Sequence, residues 1–257
     1  PPRPAVTGIG HTRWATHGGP TTVNAHPHRA GNLAVVHNGI IENFRPLRAE
    51  VEAAGRELVS DTDTEVVAHV LDIDFTSRLR QDPSAASDPT RVADLLVASM
   101  QAVTARLEGA FALLAVTDLA PAAIVAARRS SPLVIGLGEG ENFLGSDVAA
   151  FVAHTRNALA IGQDQMVFLT TDGVEVRHFD GRPAEPEPFE VAWDASAADK
   201  GGWPSFMHKE VAEQPEAVAN TLRGRIVDGR VVIPELDAYG DEQLAQIRRI
   251  LILACGT

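Results

Sequence analysis

The strongest constraint on the fold is a change in hydrophobic periodicity along the chain. The first part alternates short apolar runs with polar turns, and helix-period segments follow at about 43–54, 61–71 and 91–107. From residue 111 onward, short strand-like runs follow one another without regular strand–helix alternation. This order indicates an α+β fold with antiparallel sheets rather than a parallel sheet built from βαβ units.

Individual elements are predicted from local patterns. Strands are expected at 5–9, 33–36, 111–116, 123–127, 133–137, 166–169 and 174–179, with Asp172-Gly173 as the turn of the last hairpin. Asn43 is expected to cap the first helix, and Asp61 or Asp63 the second. The buried stripes of the second and third helices are predicted at Val66, Val67, Val70 and Leu71, and at Val92, Leu95, Leu96, Met100 and Val103.

The last quarter of the chain has a different character. Residues 181–204 are rich in Pro, Glu, Asp, Ala and Gly, which is typical of a linker. Two more helices are expected at about 209–223 and 241–248, and the final residues have a buried-strand pattern. We therefore expect the end of the chain to begin a second domain.

Charge and cysteine content exclude several classes of partner. The formal net charge is -12, and an acidic surface repels nucleic-acid phosphates and anionic lipid, so neither nucleic acid nor a membrane surface is expected as a partner. No apolar run approaches the length of a membrane span. The single cysteine, Cys255, allows no intrachain disulfide, which favours a cytoplasmic location.

Polar side chains concentrate in four short segments. The densest is 11–19, followed by 24–28, 37–39 and 61–65. Polar groups this varied at strand ends favour recognition of a small zwitterion. Arg13 offers a planar fork for a carboxylate, and Asp63 offers a negative partner for an ammonium group.

Other residues of these segments suggest chemistry on the bound molecule. Asn38 and the Gly39 amide are placed to donate to one oxygen, as stabilisation of a tetrahedral oxyanion requires. Trp14 is expected on a mobile loop that covers the site.

Simpler interpretations exist for the same residues. Asp63 would also serve as a helix cap, and Asn38-Gly39 would also suit a type I′ turn. His26 and His28 invite a metal interpretation, but carboxylate or thiolate company at ligand spacing is absent, so no metal site is predicted.

The motifs resemble one known family. HTRWATHG, NAHPH, HNGIIEN and SDTDTEV, in this order, resemble the glutaminase domain of the glutamine–fructose-6-phosphate aminotransferases (isomerising). The resemblance continues through SPLVIGLGEGENFLGSD (131–147), MHKEVAEQPEAVANTLRGR (207–225) and ILACGT (252–257). It covers nearly the whole chain.

The resemblance implies a fold and an organisation. The fold would be the αββα sandwich of N-terminal-nucleophile hydrolases, incomplete at its N-terminus. Residues 1–182 would be the glutaminase domain without its first strands, 183–247 a linker with connector helices, and 248–257 the first strand of a truncated sugar isomerase domain.

The resemblance also implies substrates and residue roles. Glutamine and fructose 6-phosphate would give glucosamine 6-phosphate and glutamate, without a cofactor, in a homodimer formed through the isomerase domain. Arg13 would bind the α-carboxylate, Asp63 the α-amino group, Thr16 and His17 would line the pocket, Trp14 would close it, and Asn38 with Gly39 would form the oxyanion hole.

The sequence departs from the family at the nucleophile. The family uses an N-terminal cysteine, whereas residue 1 here is proline and the only cysteine is Cys255. The chain as given is therefore expected not to hydrolyse glutamine. The alternative is a non-catalytic module that binds glutamine or a partner protein.

Overall fold

The computed structural model describes the chain as two compact units, Pro1–Ala198 and Asp199–Thr257. The described residues are 6–15, 18–192, 200–222, 226–227, 229–232, 236 and 239–251.

The first unit is organised around a six-stranded antiparallel sheet with the order β1-β2-β3-β4-β8-β9. Its strands are β1 (His28–Ala30), β2 (Leu33–Ile41), β3 (Gly109–Thr117), β4 (Ile124–Arg129), β8 (Gln165–Leu169) and β9 (Val174–His178). All nine residues of β2 pair with β3, from Leu33 opposite Thr117 to Ile41 opposite Gly109. This long ladder holds β2 in the strand conformation well beyond its apolar first half.

A second antiparallel sheet has four strands in the order β10-β7-β5-β6. They are β5 (Val134–Leu137), β6 (Asn142–Gly145), β7 (Asn157–Ala160) and β10 (Glu187–Glu190). It faces the first sheet through one apolar cluster, in which Ala112, Ile124 and Ala126 meet Leu133, Ile135 and Ile161. The outer face of the second sheet is covered by the 3-10 turn Val148–Ala150 and by Phe151 and Val152, both buried.

Three helices form the layer on the other face of the first sheet. They are α1 (Phe44–Ala53), α2 (Asp63–Gln81) and α3 (Pro89–Thr104). The largest cluster of the core combines apolar residues of all three helices with Leu33, Val35, Phe111 and Val125 of the sheet. The predicted α+β sandwich of antiparallel sheets and helices is therefore confirmed, and every predicted stripe residue of α2 and α3 is buried except the half-buried Leu95.

The second unit contains α4 (Phe206–Leu222), β11 (Ile226–Val227), β12 (Arg230–Val231) and α5 (Asp241–Ala245). Both helices lie where the sequence predicted them, and α4 contains Pro215 within its span. In the described part of the chain, no helix is both long and apolar enough to cross a membrane.

Two predictions about local structure are wrong. Residues 6–9 of the expected strand at 5–9 have no regular secondary structure, and residue 5 lies outside the described residues. The cap of α2 is Thr62, whose hydroxyl accepts a hydrogen bond from the Glu65 amide. Neither aspartate serves, because the Asp61 carboxylate faces Asn24 and the Asp63 carboxylate accepts from Ile41.

The C-terminal stretches also differ from expectation. Strand β10 lies inside the stretch predicted as a linker, and it pairs along its whole length with β7. All four of its residues are exposed, so the sequence shows no alternation of buried and exposed positions. Its proline is compatible with a strand because β10 lies at the edge of the sheet. Residues 248–251 form no regular element and 252–257 lie outside the described residues, so the terminal strand stays a prediction.

The α2 packing gives a direct test of the core. Phe75 is 1% exposed within the largest cluster, so Phe75→Ala is expected to lower the free energy of unfolding by about 3–5 kcal/mol through lost burial and a cavity. Val59→Ala is the control, because Val59 is 75% exposed, and a change below about 0.5 kcal/mol is expected. Urea denaturation followed by circular dichroism measures both, and equal effects of the two substitutions would contradict the assigned core.

Candidate functional site

The predicted site residues converge on one cavity of about 250 Å³. It lies where the second half of β2, the first turn of α2 and the irregular segments at 6–15 and 18–26 meet. Its lining consists of His11, Arg13, Trp14, His26, His37, Asn38, Gly39, Ile40, Thr62, Asp63 and Thr64. Five of the seven predicted residues are in this lining, and the other two, Thr16 and His17, lie outside the described residues.

Arg13 brings a positive charge to the cavity from an irregular loop. Its φ of 53° is in the left-handed region, and its amide donates to Nδ1 of His11 at 2.9 Å. The guanidinium donates to the main-chain carbonyls of Asn24 and of Gly18, the latter at 3.2 Å. These main-chain carbonyls help to orient the guanidinium.

Asp63 brings the negative charge from a regular element. It is the first residue of α2, it is 3% exposed, and its Oδ2 accepts a hydrogen bond of 2.8 Å from the Ile41 amide. A helix N-terminus stabilises a carboxylate by about 0.3–1 kcal/mol, which offsets part of the cost of burial. The carboxylate thus also joins the start of α2 to the end of β2.

His37 is a residue of the site that the motif analysis did not single out. It is buried in β2, with Nδ1 3.0 Å from Oγ1 of Thr64 and 3.8 Å from Oδ2 of Asp63. His11 and His26 also line the cavity. Five of the nine histidines fall within residues 11–37, and that density was the available signal.

The histidines beside the cavity pack against one another. The ring centroids of His11 and His26 are 4.4 Å apart, and those of His26 and His28 are 5.2 Å apart. Burial, together with the charges of neighbouring histidines and Arg13, lowers the pKa of His26 to about 3. Burial first and the Arg13 charge second lower the pKa of His11, and burial lowers that of His28 although Glu65 acts in the opposite direction.

These pKa shifts keep the three rings neutral near pH 7. The Nδ1 atom of His26 is buried and has no hydrogen-bond partner among the described residues, which favours the uncharged ring.

Across the described ranges, no three His, Cys, Asp or Glu side chains are grouped to hold a metal ion.

Asn38 and Gly39 occupy the middle of β2, opposite Ala112 and Phe111. The type I′ turn considered for this dipeptide is therefore wrong. Gly39 has a φ of 133°, and a Cβ there would lie 2.1 Å from the carbonyl oxygen of Ala110 and 2.8 Å from Oγ of Ser131. Only glycine fits at this position, and the neighbouring Asn38 is exposed and lines the cavity.

Trp14 lies at the rim and is 84% exposed. It also lines a second cavity of about 350 Å³ that opens between the two sheets. The two cavities share His11, Trp14, His37 and Asn38, and the second is otherwise mostly apolar, with Leu114, Leu133 and Leu144 among its walls. The polar cavity therefore adjoins a mostly apolar one.

Comparison with known proteins gives a consistent set of relatives. A family model described as a glutamine amidotransferase domain matches residues 21–153. Proteins named glutamine–fructose-6-phosphate aminotransferase [isomerizing] are 61% identical in Leifsonia xyli subsp. xyli and 55% identical in Streptomyces coelicolor, each over 98% of this chain. The chain spans 39% of the length of these curated relatives.

Solved structures are more distant. The glutamine phosphoribosylpyrophosphate amidotransferase of B. subtilis, complexed with ADP and GMP, is 24% identical, with a TM-score of 0.48 over 66% of this chain and 34% of its own.

The backbone at Gly39 predicts a selective stability loss. Gly39→Ala is expected to lower the free energy of unfolding by at least about 2 kcal/mol, because alanine is strained at this φ and its Cβ meets a main-chain oxygen. Gly173→Ala is the matched control, since a Cβ there meets nothing within 4 Å. Chemical denaturation of both variants provides the measurement, and a neutral Gly39→Ala would contradict the described strand geometry.

The neutral histidines predict acid sensitivity. The unfolded chain protonates His26 below its ordinary pKa of 6.5, whereas the folded chain resists protonation down to about 3. The stability that this pKa difference confers is fully present above pH 6.5 and is lost progressively as the pH falls toward 3. His26→Asn is therefore expected to reduce the fall in melting temperature on acidification from about pH 7 to pH 5.

His154→Asn serves as the control for that series. The His154 side chain is 58% exposed, so this variant is expected to keep the pH dependence of the parent chain. An unchanged slope in His26→Asn would show that His26 is not the group whose protonation destabilises the fold.

Proposed function

Because the chain belongs to the glutamine amidotransferase domain family, we propose that its cavity binds glutamine and that the complete protein transfers the amide nitrogen to fructose 6-phosphate. The products are glucosamine 6-phosphate and glutamate. Support for this acceptor comes from the names of the relatives that are 51–61% identical. The single structural observation that carries the proposal is the presence of Arg13 and Asp63 in the lining of one cavity.

Glutamine is recognised through both of its charged groups, which are bonded to the same α-carbon. Arg13 binds the α-carboxylate with its guanidinium, and Asp63 binds the α-ammonium group with its buried carboxylate. The glutamine side chain then extends along β2 toward Asn38 and Gly39.

Asn38 and Gly39 act on the amide. Attack on the amide carbon turns the carbonyl oxygen into an oxyanion, and the Asn38 side-chain amide with the Gly39 main-chain N–H donates to it. Trp14 folds over the bound molecule and limits the access of water. Thr16 and His17 complete the wall of the pocket in this proposal.

The described residues contain no cysteine. The only cysteine of the 257 residues is Cys255, which lies outside them. We therefore propose that this chain supplies recognition and oxyanion stabilisation, and that on its own it binds glutamine without hydrolysing it. Residues 248–257 begin a sugar isomerase domain in this proposal, and that domain forms a homodimer in the cytoplasm.

Substrate recognition is tested by charge removal in the complete gene product. Arg13→Ala is expected to reduce kcat/KM for glutamine hydrolysis by about 10- to 100-fold, which corresponds to the loss of a charge-assisted hydrogen-bond pair. Asp63→Asn is expected to have a loss of similar size. Arg182→Ala is the control, because its side chain is 75% exposed and paired with Asp180, and it is expected to match the parent enzyme.

The same assay distinguishes the alternatives. Ammonia release that increases with fructose 6-phosphate, together with formation of an amino sugar phosphate, is expected. Glutamine binding in calorimetry without ammonia release from the complete product would favour the non-catalytic binding module. Absence of both binding and hydrolysis would refute the proposed function.

A further inference from the structure

Asn24 connects the irregular segment that carries Arg13 with the segment that precedes Asp63, the first residue of α2. It is 3% exposed and belongs to the NAHPH motif, and the described residues that line the cavity do not include it. Its hydrogen bonds nevertheless reach both the Arg13 loop and the segment that precedes Asp63.

On one side, Asn24 holds the Arg13 loop. Its main-chain carbonyl accepts from the Arg13 guanidinium, and its Nδ2 donates to the carbonyl of Gly19 at 3.1 Å. Gly18 allows the loop to come this close, because a Cβ at that position would lie 2.6 Å from Nδ2 of Asn24 and 2.9 Å from Cβ of Asp61.

On the other side, Asn24 holds the segment that leads into α2. Its Oδ1 accepts from the Asp61 amide at 3.0 Å, and its Nδ2 lies 3.4 Å from Oδ2 of Asp61. Asp61 is two residues before Asp63. Donors and acceptors therefore match on both sides of the side-chain amide.

The segment before α2 is itself held firmly. The carboxylate of Glu65, 3% exposed, accepts from the amides of Val59 at 3.0 Å and Ser60 at 2.6 Å, and from the Ser60 hydroxyl at 2.7 Å. Oγ1 of Thr62 adds a contact of 3.0 Å to Nε2 of His28 on β1. The loop that Asn24 grips is thus fixed to both the helix and the sheet.

We propose that Asn24 is a positioning residue that sets the spacing between Arg13 and Asp63, so that one α-amino acid can bind both groups at once. The inference rests on the proposed function. A ligand held through two charged groups gains from the second contact only while Arg13 and Asp63 keep the distance that matches those groups. A ligand with a single charged group has no such requirement.

The test uses the complete gene product. It compares glutamine, which has two charged groups on its α-carbon, with two ligands that each have only one. Inhibition constants are measured for 4-carbamoylbutanoate, which lacks the α-amine, and for 4-aminobutanamide, which lacks the α-carboxylate. Asn24→Ala is expected to lower kcat/KM for glutamine at least about 10-fold, mainly through KM, while the two inhibition constants change less than about 3-fold. Asn157→Ala, at an exposed position on β7, is the control.

Each outcome is decisive. The role of Asn24 is overturned if kcat/KM for glutamine and the affinities for both singly charged ligands fall by the same factor. It is also overturned if none of these quantities changes. If Asn24→Ala does not fold by circular dichroism, Asn24→Ser, which keeps a small polar group, is measured in its place with the same expectation. A parent enzyme that hydrolyses no glutamine overturns the proposed function, and the role of Asn24 with it.

Discussion

The start of helix α2 is the feature on which both the fold and the site depend. Thr62 caps the helix by accepting from the Glu65 amide, which is half of a capping box. The Glu65 side chain does not return to Thr62 but reaches further back, to Val59 and Ser60. Asp63 turns the other way and accepts from Ile41. One helix terminus thus fixes a loop, a strand end and the Asp63 carboxylate.

Burying two carboxylates at one place is stable only because each has donors. Burial alone raises the pKa of Glu65, but the hydrogen bonds from Val59 and Ser60 outweigh it and place the pKa below its ordinary value. Glu65 therefore stays ionised at neutral pH while the nearby histidines stay neutral. The described lining of the cavity contains one guanidinium, that of Arg13, and one carboxylate, that of Asp63.

The sequence predicted which residues meet at the cavity better than it predicted the elements that hold them there. The fold class, the buried stripes of α2 and α3 and the hairpin at Asp172-Gly173 follow from local periodicity and turn chemistry, and these agree with the structure. The continuation of β2 through Asn38-Gly39 does not, because it depends on a ladder to β3, some seventy residues further along. Strand β10 was missed for the same reason, since only its pairing with β7 defines it.

Arg13 and Asp63 are placed by different kinds of interaction, and this difference determines how substitutions act. Asp63 belongs to a helix whose next turns are buried in the largest apolar cluster, so its position follows from core packing. Arg13 lies in a segment without regular secondary structure and at a positive φ, where polar contacts to Asn24 and Gly18 replace packing. Changes in the core therefore alter Asp63 only together with stability. Changes in the polar contacts around Asn24 can alter the match between the two charged groups while the fold persists, because that loop contributes little to the apolar core.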